Sequence, residues 1–216
     1  MTAKKPEARV KEVTREYDGF LSIDKYKIEK DLHEGGTAEI TWLVMERGHA
    51  VGVLAYDPEE DKVVLINEMR PGILADGAYP YTDTVPAGGM SKGESAIVAA
   101  VREMGEETGL ELKNARVIHE RSYVSSGGTS EAITLVFGIV AAKKAGGIHG
   151  LESESENIKT VVLSAQEFFD RIENDSITDM KTQLAGYWLE KNRDKIRAEF
   201  AQQKKPAAGK GGSLAP

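Results

Sequence analysis

The 216-residue chain contains no cysteine. That excludes disulfides, a thiol nucleophile and any thiolate metal site. Histidine is scarce. His33, His49, His119 and His149 are all there is. Their spacing matches no metal-ligand pattern, so they read as structural. Aromatic residues make up 6% of the chain. No apolar run approaches the roughly 20 residues that span a bilayer, so no membrane partner is expected. The first residues, Met1-Thr2-Ala3-Lys4-Lys5-Pro6, are polar and lack the apolar stretch of a secretory signal. A cytoplasmic location is the default expectation. Positive charge is also in deficit. A net charge of −7 argues against non-specific nucleic-acid binding. A protein of this sign that handles anionic phosphates needs cations placed locally.

What is present suffices for one good-sized domain, or one domain and a smaller one, with 40% of residues hydrophobic and 29% charged. Residues 1–10 read as a loose tail. Strand-like runs follow at residues 20–28 and 38–45, around a turn at Glu34-Gly35-Gly36-Thr37. Strands this few bury little surface alone and must pack on the main domain or on a second chain. Residues 50–56 and 62–68 read as a buried strand and its return, joined at Asp57-Pro58-Glu59-Glu60-Asp61. A longer loop runs from 69 to 80. Residues 115–124 and 131–140 read as strands. The stretch 143–156 is long, rich in Gly and Glu and without a core pattern, the profile of a functional or disordered loop. Residues 158–163 form a further strand. Ser164-Ala165-Gln166-Glu167 is a capping box that opens a helix to about Asn174. Asp179 or Thr178 caps a last helix with Leu184, Tyr187, Trp188, Ile196 and Phe200 as its apolar stripe. Residues 203–216 read as a disordered tail. Strands separated by two or three helices suggest an α/β fold, an α/β/α sandwich with a mixed β-sheet.

The chain is organised around residues 88–110. From Ser95 to Thr108 most residues are good helix formers, with Ser95 as a cap and Gly109 at the stop. Glu103, Glu106 and Glu107 stand at i, i+3 and i+4 and share a face. Their mutual repulsion makes that face unfavourable unless cations fill it. A cluster of hard oxygens suits Mg²⁺ or Mn²⁺, which keep places for water and phosphate. Ile97, Val98, Val101 and Met104 are expected to face the core. Three glutamates on a helix, taken alone, read as a solvated face. The spacing decides otherwise: Gly88, Glu94, Arg102, Glu103, Met104, Glu106, Glu107, Gly109 and Leu110 stand at fixed offsets that resemble the complete signature of the Nudix hydrolases.

The resemblance extends further. Arg47-Gly48-His49-Ala50-Val51, Glu68-Met69-Arg70-Pro71-Gly72, the stretch Ser125-Ser126-Gly127-Gly128-Thr129-Ser130-Glu131 and residues 147–158 are similar to the ADP-ribose pyrophosphatase branch of that family. The resemblance implies a Nudix fold over residues 46–202, with residues 1–45 as a small strand domain of the kind those enzymes exchange across a homodimer. It implies hydrolysis of ADP-ribose to AMP and ribose 5-phosphate with two or three Mg²⁺ ions, Mn²⁺ being the substitute. It points to Glu103, Glu106, Glu107 and the carbonyl of Ala87 as metal ligands. Arg102 cannot bind a cation and orients the cluster, pairing with a glutamate such as Glu94. The catalytic base comes from the loop holding Glu152, Glu154 and Glu156, where the alignment favours Glu154 with Glu156 as substitute or helper. Arg47, Arg70 and Gly128 match substrate-contacting positions, although either arginine can equally be a surface ion-pair residue. Trp42, Phe20 and Tyr26 are candidates for stacking on a base. One departure matters. That branch usually carries Ser-Pro-Gly in the loop after the signature, and here Ser126 stands at the proline's position. Another nucleoside diphosphate sugar, such as GDP-mannose, therefore stays open as substrate. A non-catalytic nucleotide-binding module of the same fold would be expected to lose signature glutamates, and all are present.

Overall fold

The computed structural model describes residues 5–204. Three antiparallel strands come first, β1 (Ala8–Asp18), β2 (Ser22–Asp31) and β3 (Thr37–Glu46), hydrogen-bonded in that order. β1 begins inside the stretch read from sequence as a loose tail, and it is exposed along its whole length. Its strand state rests on pairing with β2, from Ala8 opposite Lys30 to Asp18 opposite Ser22. Cross-strand ion pairs such as Lys11–Glu29 at 3.1 Å accompany that pairing. A strand held by its neighbour and not by a core leaves no hydrophobic alternation to read.

The rest of the chain builds a second, mixed sheet. Its elements are β4 (Ala50–Asp57), β5 (Lys62–Met69), the short helix α1 (Pro71–Ala75), β6 (Tyr81–Thr84), β7 (Ala87–Gly89), α2 (Ala96–Thr108), β8 (Lys113–Tyr123), β9 (Ala132–Ile139), β10 (Ile148–His149), β11 (Ile158–Ser164), α3 (Ala165–Glu173) and α4 (Met180–Gln203). The strand order is β10-β11-β5-β4-β9-β8, with β6 added beside β5 and β7 beside β4. β4 and β9 run parallel; the other pairs are antiparallel. The helix α1 falls in the stretch expected to be loop, where Pro71 at the first helical position presets the turn.

β4 is buried on both faces, which makes the layering explicit. Val51, Val53 and Ala55 join Ala99, Ala100 and Met104 of α2. Leu54 and Tyr56 point the other way and join Phe168, Phe169 and Ile172 of α3 and Ala185, Leu189 and Ile196 of α4. Burying each of the larger aliphatic and phenylalanine side chains among them contributes about 1.5–3 kcal/mol. The result is the expected α/β/α sandwich. The apolar stripe of α4 keeps Leu184, Trp188 and Ile196 on the core, while Tyr187 is exposed and Ala185, Gly186 and Leu189 complete the buried face. Close packing selects the small residues, since a Cβ on Gly186 would stand 2.1 Å from Ile172 Cδ1. The last helix runs to Gln203, into the stretch expected to be tail, and the rest of that expectation lies outside the described residues. Among the described residues no helix is long and apolar enough to cross a membrane.

Candidate active site

α2 starts and stops where its sequence dictates. The Ser95 side chain accepts a bond from Val98 N, and Gly109 at φ 67° returns its amide to Gly105 O. The helix is rotated so that Glu103 and Glu107 point inward; they are only 8% and 3% exposed. That rotation carries Val98 and Val101 to the far side, where they are 57% and 44% exposed. The expectation that these two valines face the core is therefore corrected. At 100° per residue, positions 98 and 101 lie opposite 103 and 107. Met104 is buried, and Ile97 packs partly against the same core.

The two inward carboxylates meet β7. Ala87 N donates to Glu107 Oε2 at 2.9 Å. Gly88 is required by contact: a Cβ there would lie 2.0 Å from Glu103 Oε1. Burial pushes Glu107 up to about 8, with the charge of Glu103 adding to it and the Ala87 amide opposing. Burial also raises Glu103, against the pull of the Arg102 guanidinium. Arg102 donates to four residues. Its Nη1 reaches Glu103 Oε1 at 2.6 Å and Glu106 Oε2 at 3.0 Å. Its Nη2 donates to Gly89 O at 2.9 Å, and its Nε to Glu94 Oε1 at 3.2 Å. Arg102 in turn holds Glu94 below the usual carboxylate range.

A divalent cation fits this arrangement. The donors are hard oxygens: three carboxylates and the carbonyl of Ala87 in β7. Glu107 is buried, and its hydrogen-bond donor is a backbone amide without formal charge, so its ionised form is costly until a cation arrives. Among the described residues no three acidic, cysteine or histidine side chains converge on one point, and Glu103 and Glu106 are both held by Arg102. An open face of this kind suits Mg²⁺, which takes few carboxylates and retains water, better than an all-protein cage.

β7 is the shared wall of two cavities. One, of about 450 Å³, is lined by Arg102, Glu103, Glu106, Glu154, Glu156 and Phe20 among others. The other, of about 550 Å³, is lined by Arg70, His49, Thr82, Glu131, Asp179 and Lys181 among others. Arg47 and the run Ala87-Gly88-Gly89 border both. Arg47 Nε stands 3.7 Å from Glu131 Oε1. Arg70 is held by Glu68 Oε2 at 2.9 Å and by Thr84 Oγ1 at 2.9 Å, and its buried Nε has no partner. Ala87, Glu103, Glu106, Glu154, Glu156 and both arginines thus border these cavities, Glu107 reaches them only through Ala87 N, and Glu152 lines neither. Gly128 is not among the walls of either cavity; its carbonyl accepts from Met45 N at 2.8 Å and ties its loop to β3.

The loop glutamates differ. Glu154 closes a 3₁₀ turn, is exposed, and makes no hydrogen bond or ion pair through its carboxylate among the described residues. Glu156 Oε2 accepts from Leu151 N at 2.9 Å, and its charge bears on Glu68, Glu103 and Glu107. The loop is tied to α2 by Gly150 N donating to Glu106 O at 3.2 Å. Of the three aromatics considered for stacking, Phe20 alone lines the cavity, 98% exposed at the β1–β2 turn. Trp42 donates to Gly127 O and Tyr26 to Glu46, so both act in packing. His49 accepts from Ala132 N through Nδ1 at 3.2 Å, and His149 sits against Gly109. Sequence reasoning gave Asp179 only a helix-capping role and gave Glu131 and Lys181 no individual role. Each looked like an ordinary strand- or helix-start residue, and their convergence on one cavity depends on tertiary folding.

Known proteins match this geometry. The model of the NUDIX domain matches residues 46–180. The ADP-ribose pyrophosphatase of Escherichia coli (strain K12) is 35% identical over 187 residues, covering 86% of this chain and 88% of that one. The ADP-ribose pyrophosphatase of Haemophilus influenzae (strain ATCC 51907 / DSM 11121 / KW20 / Rd) is 33% identical over 189 residues, covering 85% and 86%. A solved structure described as an ADP compounds hydrolase superposes with a TM-score of 0.65 at 18% identity, over 95% of this chain and all of that one, and so shares its fold. With the matched region spanning β4 to the start of α4 and containing every inward carboxylate of the site, the chain belongs to the NUDIX family.

Proposed function

We propose that this enzyme is a divalent-cation-dependent hydrolase that splits the diphosphate of ADP-ribose into AMP and ribose 5-phosphate. The observation that carries this reading is the buried Glu103–Glu107 pair against β7, at the junction of two cavities bordered by Arg47. A diphosphate spanning that junction has the carboxylate face on one side and arginines on the other. The likeness to two ADP-ribose pyrophosphatases supports the choice of nucleotide sugar.

Glu103, Glu107, Glu106 and the Ala87 carbonyl would hold Mg²⁺, with Mn²⁺ as substitute and two or three ions in all. When bound, the ions neutralise the diphosphate and lower the pKa of a coordinated water. Glu154 accepts the proton of the attacking water, whose oxygen bonds to phosphorus as the bridging P–O bond breaks and the second phosphate leaves. Glu154 suits that task because its carboxylate is uncommitted, whereas Glu156 is tied to Leu151 N and anchors the loop. Arg102 keeps Glu103 and Glu106 in place. Arg47 and Arg70 hold the substrate across β7. The enzyme works as a homodimer built on residues 1–45, whose sheet exposes Val10, Tyr17, Trp42 and Leu43.

The test is incubation with Mg²⁺ and a panel of nucleoside diphosphate sugars, with products separated. ADP-ribose should be consumed fastest, giving AMP and ribose 5-phosphate. Faster turnover of GDP-mannose would move the substrate assignment, and no turnover of any sugar nucleotide would end the hydrolase reading.

A further inference from the structure

We propose that Thr182 is a positioning residue for the carboxylate face, acting from the first turn of α4 through Val85. The proposal rests on the reading of Glu103, Glu107 and Ala87 as cation ligands. Thr182 is fully buried. Its hydroxyl donates to Asp179 Oδ1 at 2.6 Å and accepts from Val85 N at 3.0 Å, a residue 97 positions away. Asp179 is itself fixed, because it caps α4 through Thr182 N at 3.0 Å and holds Lys181 Nζ at 2.8 Å. The hydroxyl has one hydrogen, and Asp179 takes it. The lone pair aimed at Val85 N is therefore set by the helix cap.

Val85 lies in a segment where each residue has a partner on a different element. Thr84 Oγ1 accepts from Arg70 Nη2 at 2.9 Å. Pro86 O accepts from Val53 N at 2.8 Å on β4. Ala87 N donates to Glu107 Oε2 at 2.9 Å. The segment crosses from the α3/α4 layer, where Val85 is packed, to the α2 layer that carries Glu107. Thr182 supplies its side-chain tie to α4. Without that oxygen the Val85 amide is buried and unpaired, and the segment must move to find another acceptor. Ala87 lies two residues along, so its carbonyl and the Glu107 contact move with it.

Thr182→Val removes the oxygen at constant volume, and Thr182→Ser keeps it. Metal-free protein is titrated with Mn²⁺ and the free ion counted by electron paramagnetic resonance, without substrate. kcat and KM are then measured at saturating Mg²⁺. Thr182→Val should raise the Mn²⁺ dissociation constant about tenfold, the scale of losing a group that orients a ligand, and Thr182→Ser should stay within about twofold. kcat should largely recover at saturating metal, and KM should move less than the metal constant. Thr182→Val with unchanged Mn²⁺ affinity, whatever its melting temperature, overturns the proposal, as does Thr182→Ser being as weak as Thr182→Val. If Thr182→Val does not fold, Thr182→Ala is read by the same constants. Failure of the underlying reading looks different: the wild type itself would then bind no Mn²⁺.

Discussion

At the scale of single residues, Glu107 shows how the site's chemistry opposes its stability. In metal-free protein burial lifts this carboxyl to about 8, so the folded state prefers the neutral form. The sign follows from linkage. The folded value lies above the ordinary one, so the group's contribution to stability is full below about pH 4.5 and is lost as pH rises toward about 8. Glu107→Gln does not titrate. In chelator, its Tm should exceed that of the wild type by a margin that grows from pH 5 to pH 8. With Mg²⁺ present the margin should shrink or reverse. A margin in chelator that is flat across that range would mean that Glu107 is not desolvated as its burial implies. Activity should respond oppositely, with Glu107→Gln losing most turnover even at saturating Mg²⁺. Near wild-type turnover would remove Glu107 from the ligand set. For the base, a positioned proton acceptor typically contributes about 10²–10⁴-fold. Glu154→Gln should lower kcat within that range with little change in KM, and Glu152→Gln far less. A mild Glu154→Gln beside a severe Glu156→Gln would place the base two residues further on.

At the scale of elements, β7 and α2 function as one device, and Gly88 is its hinge point. A methyl at this position would collide with the Glu103 carboxylate, so Gly88→Ala must displace either the strand or the glutamate. Activity at limiting Mg²⁺ should fall by at least about tenfold. Steady-state rates at several metal concentrations check this, and an unchanged metal dependence would show that Glu103 need not stay where it is. This device was largely legible in the sequence, because Ser95, Gly109 and the glutamate spacing are local signals that tertiary contacts did not override. The facing of α2 was less legible. Aliphatic periodicity nominated Val98 and Val101 for the core, but the inward face carries Glu103 and Glu107 beside Ala99, Ala100 and Met104, and a hydrophobic pattern does not select two charges. β1 was hidden for the opposite reason, since its pairing leaves no buried side. The wall formed by Glu131, Asp179 and Lys181 was out of reach, because the loop before β9 and the start of α4 meet only in the folded molecule.

At the scale of the whole molecule, two unlike sheets share one chain. The mixed sheet is covered by helices on both faces, and the three-stranded sheet is not. The latter is fastened to the rest by Met45 pairing with the loop at Gly128 and Ser130, by Trp42 donating to Gly127 O, and by Ser130 bonding to Glu46. These ties fix one end of the sheet. Val10, Val13 and Trp42 are exposed on one face of this sheet, and Tyr17 and Leu43 on the other. Apolar side chains gathered on an uncovered sheet mark an interaction surface more often than a solvated one. A standard interface buries about 800 Å² per partner, and three strands of about ten residues present a flat area of roughly 500 Å² on one face, which side-chain relief enlarges. The expectation is a homodimer at micromolar concentration, detected by sedimentation equilibrium. Deletion to residue 46 should yield a monomer with weakened substrate binding, because Phe20 leaves the cavity wall with the sheet. Val10→Lys with Val13→Lys, two changes on one face, should weaken the dimer while leaving each chain's α2 intact. A full-length protein that stays monomeric at these concentrations would contradict the assignment. So would a truncated chain that remains dimeric, since the contact would then lie on the helical layers.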